Sequence, residues 1–347
     1  MKMFLLLIFA FTLMVALIAC ADGNGDNPDA YTANDPRTQG NAPEQAPELT
    51  PEPTPEVTPE VTPEPTPEPT PAPQDIAGLA TALVMSYNIY YLDVEHRVQP
   101  IFDLILKTDP DVIGFQEVSV RWVQPLRDFK ENHGYNSYGY GRHGSGLNDD
   151  DMSSNEEFAI IFWKADKYDL IEAGHFWASS TPDVPRSSSW VDGTTTNFAR
   201  CINWVRLSDR ETGREMVFIN CHLAPFQENA MVRNHSVSLM VEEMRRFVDA
   251  GIPVMMMGDF NFQLDSTAYE ILTNRHGYLD VRFIAPVTTL KGTYNEWGNR
   301  TSDRYAMIDY FFATPNVIAE FFEVVDCRVI NGDILSDHYP ILTRIFF

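Results

Sequence analysis

Apolar positions in this chain fall into short runs that stop abruptly at a polar residue, interrupted by helical patterns and polar loops. Residues 82–88 (Ala-Leu-Val-Met-Ser-Tyr-Asn) read as a buried strand ending on Asn88. Residues 95–107 carry Val98, Ile101, Phe102, Ile105 and Leu106 at helical spacing, which predicts one apolar face. Asp109-Pro110 ends that helix, since proline disfavours helical geometry in its predecessor. Residues 111–117 predict a second strand around Val112, Ile113 and Phe115, so strand, helix and strand form a βαβ-like unit. A loop rich in Gly, Ser, Asn and Asp follows at 141–156. Residues 157–163 and 169–177 then read as an antiparallel pair, and 199–207 and 215–222 as a hairpin. Residues 228–249 predict an amphipathic helix stopped by Gly251, and 252–258 a short buried strand that delivers Asp259 to a loop. Strands at 308–313, 321–329 and 340–346 complete the set. Mixed sheets with helices in both halves predict an α/β fold of two packed mixed β-sheets flanked by helices, a four-layer sandwich.

The N-terminal segments stand apart from this pattern. Lys2 is followed by an almost wholly apolar run that ends Leu17-Ile18-Ala19-Cys20. That ending resembles the lipobox of bacterial lipoproteins, in which Cys20 is lipidated after cleavage, so residues 1–20 are expected to be a lipoprotein signal. An uncleaved membrane helix is the alternative, and either way the remainder is exported. Residues 50–73 are six tetrads, mostly Thr-Pro-Glu followed by Pro or Val. Proline at this density favours extended polyproline II, rising about 3.1 Å per residue, so residues 21–76 are expected to be an unpacked stalk. A proline-rich ligand for a partner domain is the competing reading. Residues 77–347 remain as one domain.

Charge narrows the partners. The whole chain carries a net charge of −24, and residues 77–347 hold 37 acids against 23 bases, or −14. Domains that cling to polyanions usually have the opposite sign, so tight non-specific binding of long nucleic acids is disfavoured. Beyond Cys20 only Cys201, Cys221 and Cys327 occur, too few for a disulfide framework and without zinc-site spacing.

Candidate chemistry comes from where the polar residues stand. Asn88, Glu117, His222 and Asp259 end apolar strands, while Asp309 and Asp337-His338 sit at the edges of two more. A single carboxylate there is commonly a solvated terminus, but six such sites favour a shared purpose, because open sheets place reactive groups at strand ends. Carboxylate oxygens suit Mg²⁺ or Mn²⁺, and one aspartate can take the proton from an attacking water. There is no Gly-x-Ser-x-Gly elbow, no P-loop and no GxGxxG after the first strand, so acyl transfer, ATP hydrolysis and dinucleotide chemistry lack their usual parts. In the predicted hairpin, Arg200 opposite His222 and Cys201 opposite Cys221 share one register. It would put the first pair toward a phosphate and the thiols together, either bonded or as small buried side chains.

Tyr87-Asn88-Ile89, Gln116-Glu117-Val118, Cys221-His222-Leu223, Gly258-Asp259-Phe260-Asn261, Ile308-Asp309-Tyr310 and Ser336-Asp337-His338 resemble, in order, the motifs of the endonuclease/exonuclease/phosphatase superfamily. The resemblance covers residues 82–346, and residues 176–185 look like its deadenylase-like bacterial branch. It implies metal-dependent hydrolysis of a phosphodiester or phosphomonoester by activated water, with Mg²⁺ or Mn²⁺ as cofactor. Glu117 would be the principal metal ligand, with Asn88 beside it and Asp337 assisting. Asp259 would orient or deprotonate the water, and Asn261 would hold it or a phosphate oxygen. His338 would contact the phosphate with Asp309 fixing its ring, His222 would contact it from the other side, and Arg200 would neutralise it. Ala224, Met307 and Asn295 depart from the pattern near the expected pocket and leave the substrate open: nucleic acid, phospholipid head group or small phosphate ester.

Glu157, one of a Glu-Glu pair beside a loop, reads as solvated, and the other six histidines lack metal spacing. Trp190, Trp204 and Trp297 offer aromatic faces for a base or sugar, with core packing preferred for Trp204. The expectation is an exported, lipid-anchored, monomeric enzyme facing outward, without a protein partner. Its alternatives are a binding module that kept the fold without catalysis, or a sphingomyelinase-like phospholipase instead of a nuclease.

Overall fold

The computed structural model describes residues 76–188, 199–289, 291–299, 307–327 and 334–347. The expected signal and the stalk, Ile76 apart, and Trp190 lie outside the described residues. The first element, β1 (Thr81–Asn88), leads through α1 (Val94–Thr108) into β2 (Val112–Ser119), and β1 and β2 pair in parallel as the βαβ reading requires. Helix α1 buries Ile101, Phe102 and Ile105, and Asp109 closes it in a left-handed conformation with its N–H on the Ile105 carbonyl. Leu106, expected on the buried face, is exposed.

Next come α2 (Val120–His133), β3 (Tyr135–Tyr138), β4 (Glu157–Lys164), β5 (Tyr168–Trp177), β6 (Cys201–Asp209) and β7 (Glu215–His222). The chain continues through α3 (Ala230–Asp249), β8 (Val254–Asp259), the short α4 (Thr267–Glu270), β9 (Leu279–Asp280), the short α5 (Val281–Ile284) and β10 (Val287–Thr288). It ends in β11 (Asp309–Ala313), β12 (Ile318–Val324) and β13 (Ile341–Phe346). One sheet has the order β10-β12-β13-β1-β2-β4-β3 and the other β5-β6-β7-β8-β11-β9. The first sheet lays β1, β2 and β4 against β6, β7 and β8 of the second, and helices α1–α3 cover the outer faces, giving the expected sandwich. The interface is filled by residues such as Phe115, Phe162, Phe218 and Met255–Met257, all fully buried. Each side chain of this size contributes on the order of 1.5–3 kcal/mol by leaving water.

Two local expectations fail for physical reasons. β4 and β5 do not pair: β4 joins β2 and β3 in one sheet, whereas β5 joins β6 in the other. The apolar run of β4 is buried on both faces, which demands a central position that a hairpin partner with exposed residues such as Leu170 and Ile171 cannot share. The β6–β7 hairpin is real but one residue out of the expected register, pairing Asn203 with Asn220 and Ser208 with Glu215. Its turn sets this: Asp209 Oδ1 accepts from Thr212 N and Oγ1, and Asp209 N donates to Arg214 O at 2.8 Å. Helix α2 and strand β3 are further elements that the sequence reading did not supply.

Two buried amides key the sheets together. Asn220 on β7 donates across the interface to the carbonyls of Phe115 (2.9 Å) and Ile160 (2.8 Å), and its oxygen accepts from Gln116 Nε2 at 2.7 Å. Gly114 beside them has no room for a side chain: a Cβ there would meet the Met257 sulfur at 2.9 Å and Asn220 at 3.0 Å.

Candidate active site

The pairing of the strands dictates which polar ends meet. Parallel β7 and β8 bring His222 level with Asp259, and antiparallel β11 starts where β8 ends, placing Asp309 level with Asp259. β13 runs antiparallel to β1, so Ser336-Asp337-His338 precedes it at the end where β1 delivers Asn88. Ser336 Oγ seals that junction by donating to the Asn88 carbonyl at 2.7 Å.

Glu117 reaches the centre through a distortion. The β2–β4 register shifts between Phe115 and Val118, one extra residue on β2, and Glu117 takes a left-handed φ of 58°. Bulges re-aim a side chain, and such backbone strain persists only where its surroundings fix it. Here Asn88 Nδ2 donates to Glu117 Oε1 at 3.1 Å, and Tyr91 N donates to Oε2 at 3.2 Å. The same Asn88 amide nitrogen is 3.2 Å from Asp259 Oδ2, while its oxygen accepts from Tyr90 N. Asn88 is thus the bridge between Glu117 and Asp259.

On the other side, His338 Nδ1 faces Asp309 Oδ2 at 2.9 Å, and its Nε2 stands 3.7 Å from Asp259 Oδ2. Burial opposes a charge on this ring, yet the carboxylates of Asp309 and Asp259 outweigh it and hold His338 well above the usual histidine range. Asp259, buried and beside Asp309, is raised above the ordinary aspartate value although both histidines pull it down. Asn261 N donates to Asp259 Oδ1 at 2.9 Å, and Asn261, itself left-handed at φ 52°, anchors its amide on the Leu223 carbonyl.

His222 Nε2 is 3.5 Å from Asp259 and 4.0 Å from Glu117, while its Nδ1 meets Glu157 Oε1 at 3.2 Å. Glu157, expected to be solvated, is nearly buried. Its Oε1 also accepts from Arg200 Nη1 at 2.6 Å, and its Oε2 pairs with Arg142 Nη1 at 3.1 Å. Burial raises its pKa, but Arg200, His222 and Arg142 together hold it far below the carboxylate range. Arg200 lies 3.3 Å from His222 Nδ1 despite the shifted register. Arg142, Glu157, Arg200 and His222 line a narrow recess, about 10 Å³, together with Ala199 and Cys201. Cys201 and Cys221 are free thiols in separate clusters, and burial raises the pKa of both.

All the residues expected at the centre are therefore clustered, joined by Glu157 and Arg142. Asn295 is a brace: its amide donates to Ser336 O at 2.9 Å and its backbone N–H to Asp337 O at 2.7 Å. Trp204 packs on Phe247 as expected for a core residue. Trp297 is 40 % exposed and meets Tyr90 edge-on.

Two groups of residues could hold a cation. Asp259, Asp309 and His338 offer ligand atoms within 4.8 Å of one another, with His338 Nδ1 already taken up by Asp309 Oδ2 at 2.9 Å. Glu117 and Asp337 form the second candidate. Glu117 is pushed up to about 7 by burial, with Asp337 and Glu157 adding to the rise, and Asp337 is raised by burial and by Asp259. Hard oxygens short of positive charge match Mg²⁺ or Mn²⁺.

Two packed mixed sheets with carboxylates and imidazoles gathered at their strand ends define a class of phosphoester hydrolases. The sequence profile of the Endonuclease/Exonuclease/phosphatase family matches residues 85–338, and the chain belongs to that family. Among solved structures it is similar to an endonuclease/exonuclease/phosphatase family protein from Bacteroides thetaiotaomicron, at 26 % identity and a TM-score of 0.66, over 78 % of this chain and 98 % of that one. It is also similar to the mannosyl-6-phosphatase Bt3783 of Bacteroides thetaiotaomicron VPI-5482, with 26 % identity, a TM-score of 0.65 and coverage of 76 % and 99 %. The human Nocturnin catalytic domain shares the fold at 17 % identity and a TM-score of 0.60, over 77 % of this chain and 95 % of that one. No curated protein matches the chain in sequence.

Proposed function

We propose that this protein hydrolyses a phosphate monoester or diester with an activated water and a divalent cation, Mg²⁺ or Mn²⁺, held by Glu117 and Asp337. The observation that carries this reading is the buried Asp259, bonded on one side to the Asn88–Glu117 unit and facing the Asp309-supported His338 on the other. Asp259 takes the proton from the attacking water, and its raised pKa improves it as a base. The charge that His338 carries is directed by Asp309 at the phosphate oxygens, and His222, aimed by Glu157, approaches from the second sheet. Asn261, braced on Leu223, holds the water or an oxygen. A bound cation supplies the Lewis-acid charge that stabilises the phosphate as negative charge builds. Asn88 orients Glu117 and Asp259 with one amide group. Arg200 contributes its charge to this side while bonded to Glu157.

Among phosphate esters, a small sugar phosphate is favoured by the acidic surface and by the similarity to a mannosyl-6-phosphatase. The exported, Cys20-anchored placement rests on the lipobox-like ending and the proline-rich repeat, and it puts the reaction outside the cell membrane. Purified protein assayed on a panel of phosphomonoesters and phosphodiesters should turn over with Mg²⁺ or Mn²⁺ and stop with EDTA. Turnover unaffected by chelator would sink the metal-dependent reading, and binding without any hydrolysis would favour the binding module.

A further inference from the structure

Beside the phosphate centre stands an aromatic corner that the reaction itself does not need. Tyr90 and Trp297 meet at a centroid distance of 4.9 Å with their planes 85° apart, and Tyr91 packs 5.1 Å from Tyr90. Both main walls are fastened to residues of the centre. Tyr90 N donates to Asn88 Oδ1, and Tyr91 N to Glu117 Oε2. On the opposite side, the turn carrying Trp297 is pinned by Asn295 N and Glu296 N, which both donate to the Asp337 carbonyl, and by the Asn295 amide on Ser336 O.

The corner has a rigid underside. The buried Arg97 guanidinium lies 5.5 Å from the Tyr90 ring and 5.8 Å from the Trp297 ring, and donates to the carbonyls of Ile89, Tyr90, Leu92 and Leu335. Trp122 Nε1 adds a 2.9 Å bond to the Tyr90 carbonyl. Tyr90, Glu296 and Trp297 all hold left-handed φ angles, of 57°, 50° and 55°. Such strain gathers where surroundings fix a functional geometry. Leaving a tryptophan 40 % exposed at this position is a poor use of a large apolar ring unless something covers it.

The geometry selects among occupants. Planes at 85° make a corner, not a slot, so a flat base cannot be stacked between them. A puckered ring can rest C–H bonds on both walls, against the negative aromatic faces. Asp337, Glu117 and Asp93 lie near Tyr90, while the Arg97 guanidinium backs its ring from beneath. Carboxylates accept hydrogen bonds from sugar hydroxyls. We propose that Tyr90 and Trp297 form the subsite for the alcohol half of the substrate, and that the group they accept is a pyranose, making the substrate a sugar phosphate. This rests on the reading that the centre binds and cleaves phosphate esters.

The test separates the two. In the full chain made inactive by Asp259→Asn, calorimetry with Mg²⁺ compares glucose 6-phosphate, glycerol 3-phosphate and adenosine 5′-monophosphate. Glucose 6-phosphate should bind at least tenfold tighter than glycerol 3-phosphate, and Trp297→Ala should erase that difference while leaving glycerol 3-phosphate unchanged. Trp297→Phe, which keeps an aromatic face, should retain part of it and guards against a folding defect in the alanine variant. Equal or undetectable binding of the two phosphates, tighter binding of the nucleotide, or no response to Trp297→Ala overturns the subsite. Turnover by wild-type protein is scored separately. Ring-selective binding without hydrolysis sinks the hydrolase reading and keeps the subsite, whereas hydrolysis without ring preference does the reverse.

Discussion

The two sides of the reaction centre are built on opposite principles. Asp309, His338 and Asp259 satisfy one another: a ring held between two carboxylates at 2.9 and 3.7 Å has its charge balanced inside the protein. Among the described residues, Glu117 and Asp337 have no ion pair with Lys or Arg; Glu117 accepts from Asn88 and Tyr91 and has His222 at 4.0 Å. The first side is balanced as folded, and the second is where the proposed cation would supply the missing charge. On the proposed mechanism one half of the site would set the proton chemistry, and the other the dependence on metal.

Breaking the first side should have the largest effect. Asp259→Asn removes the base and should lower kcat by roughly 100- to 10,000-fold, with no recovery at high Mg²⁺. His338→Ala should fall in the same range. Breaking the second side should look different in kind. Glu117→Gln should weaken activity most at low Mg²⁺ and be partly rescued as the metal is titrated, read as a shift in the half-saturating concentration.

That contrast sharpens in a melting experiment without metal. Glu117 has its folded pKa raised to about 7 from a usual value of 4.5, so the folded state binds more protons than the unfolded one between these values. Stability of the metal-free protein should thus fall as pH rises from about 4.5 to 7, by up to about 3 kcal/mol from this group at roughly 1.4 kcal/mol per unit. Saturating Mg²⁺ or Glu117→Gln should flatten the slope, and an unchanged slope in the variant would refute the assignment. A smaller effect is expected at Glu157→Ala, which releases Arg200, Arg142 and His222 together. A loss of about 10- to 100-fold in kcat/KM is expected for an orienting partner of this kind. The smallest is at the thiols: Cys201 and Cys221 should resist a disulfide reagent until the protein unfolds, and the intact mass should show no bridge.

The proton-transfer side was the more legible in sequence. Asp259, Asp309 and His338 adjoin apolar strands, and a polar residue there is visible in a pattern of hydrophobicity alone. Glu117 was legible as a strand end, but the bulge that turns it inward was not, because an extra residue in a strand leaves the local composition unchanged. Glu157 escaped for the converse reason. A charged residue opening a strand beside a loop looks solvated, and only Arg142 and Arg200, with the His222 ring beside them, make its burial tolerable. The separation of β4 from β5 was hidden too, since adjacency in sequence says nothing about which sheet a strand enters. The aromatic corner depends on Tyr90 and Trp297, 207 positions apart, and no local pattern joins them.

Asn220 carries a consequence for how substrate gets in. Asn88, Glu117 and His338 come from the first sheet and its edge loops, whereas His222, Asp259 and Asp309 come from the second, so the centre straddles the seam. Directly along β7 from His222, Asn220 crosses that seam with two donated bonds and one accepted. Parting or sliding the layers would break all three at once in a dry interior, before either sheet lost a ladder bond. The floor of the site is therefore pinned across the seam, so any movement that opens it is expected in the loops at the rim.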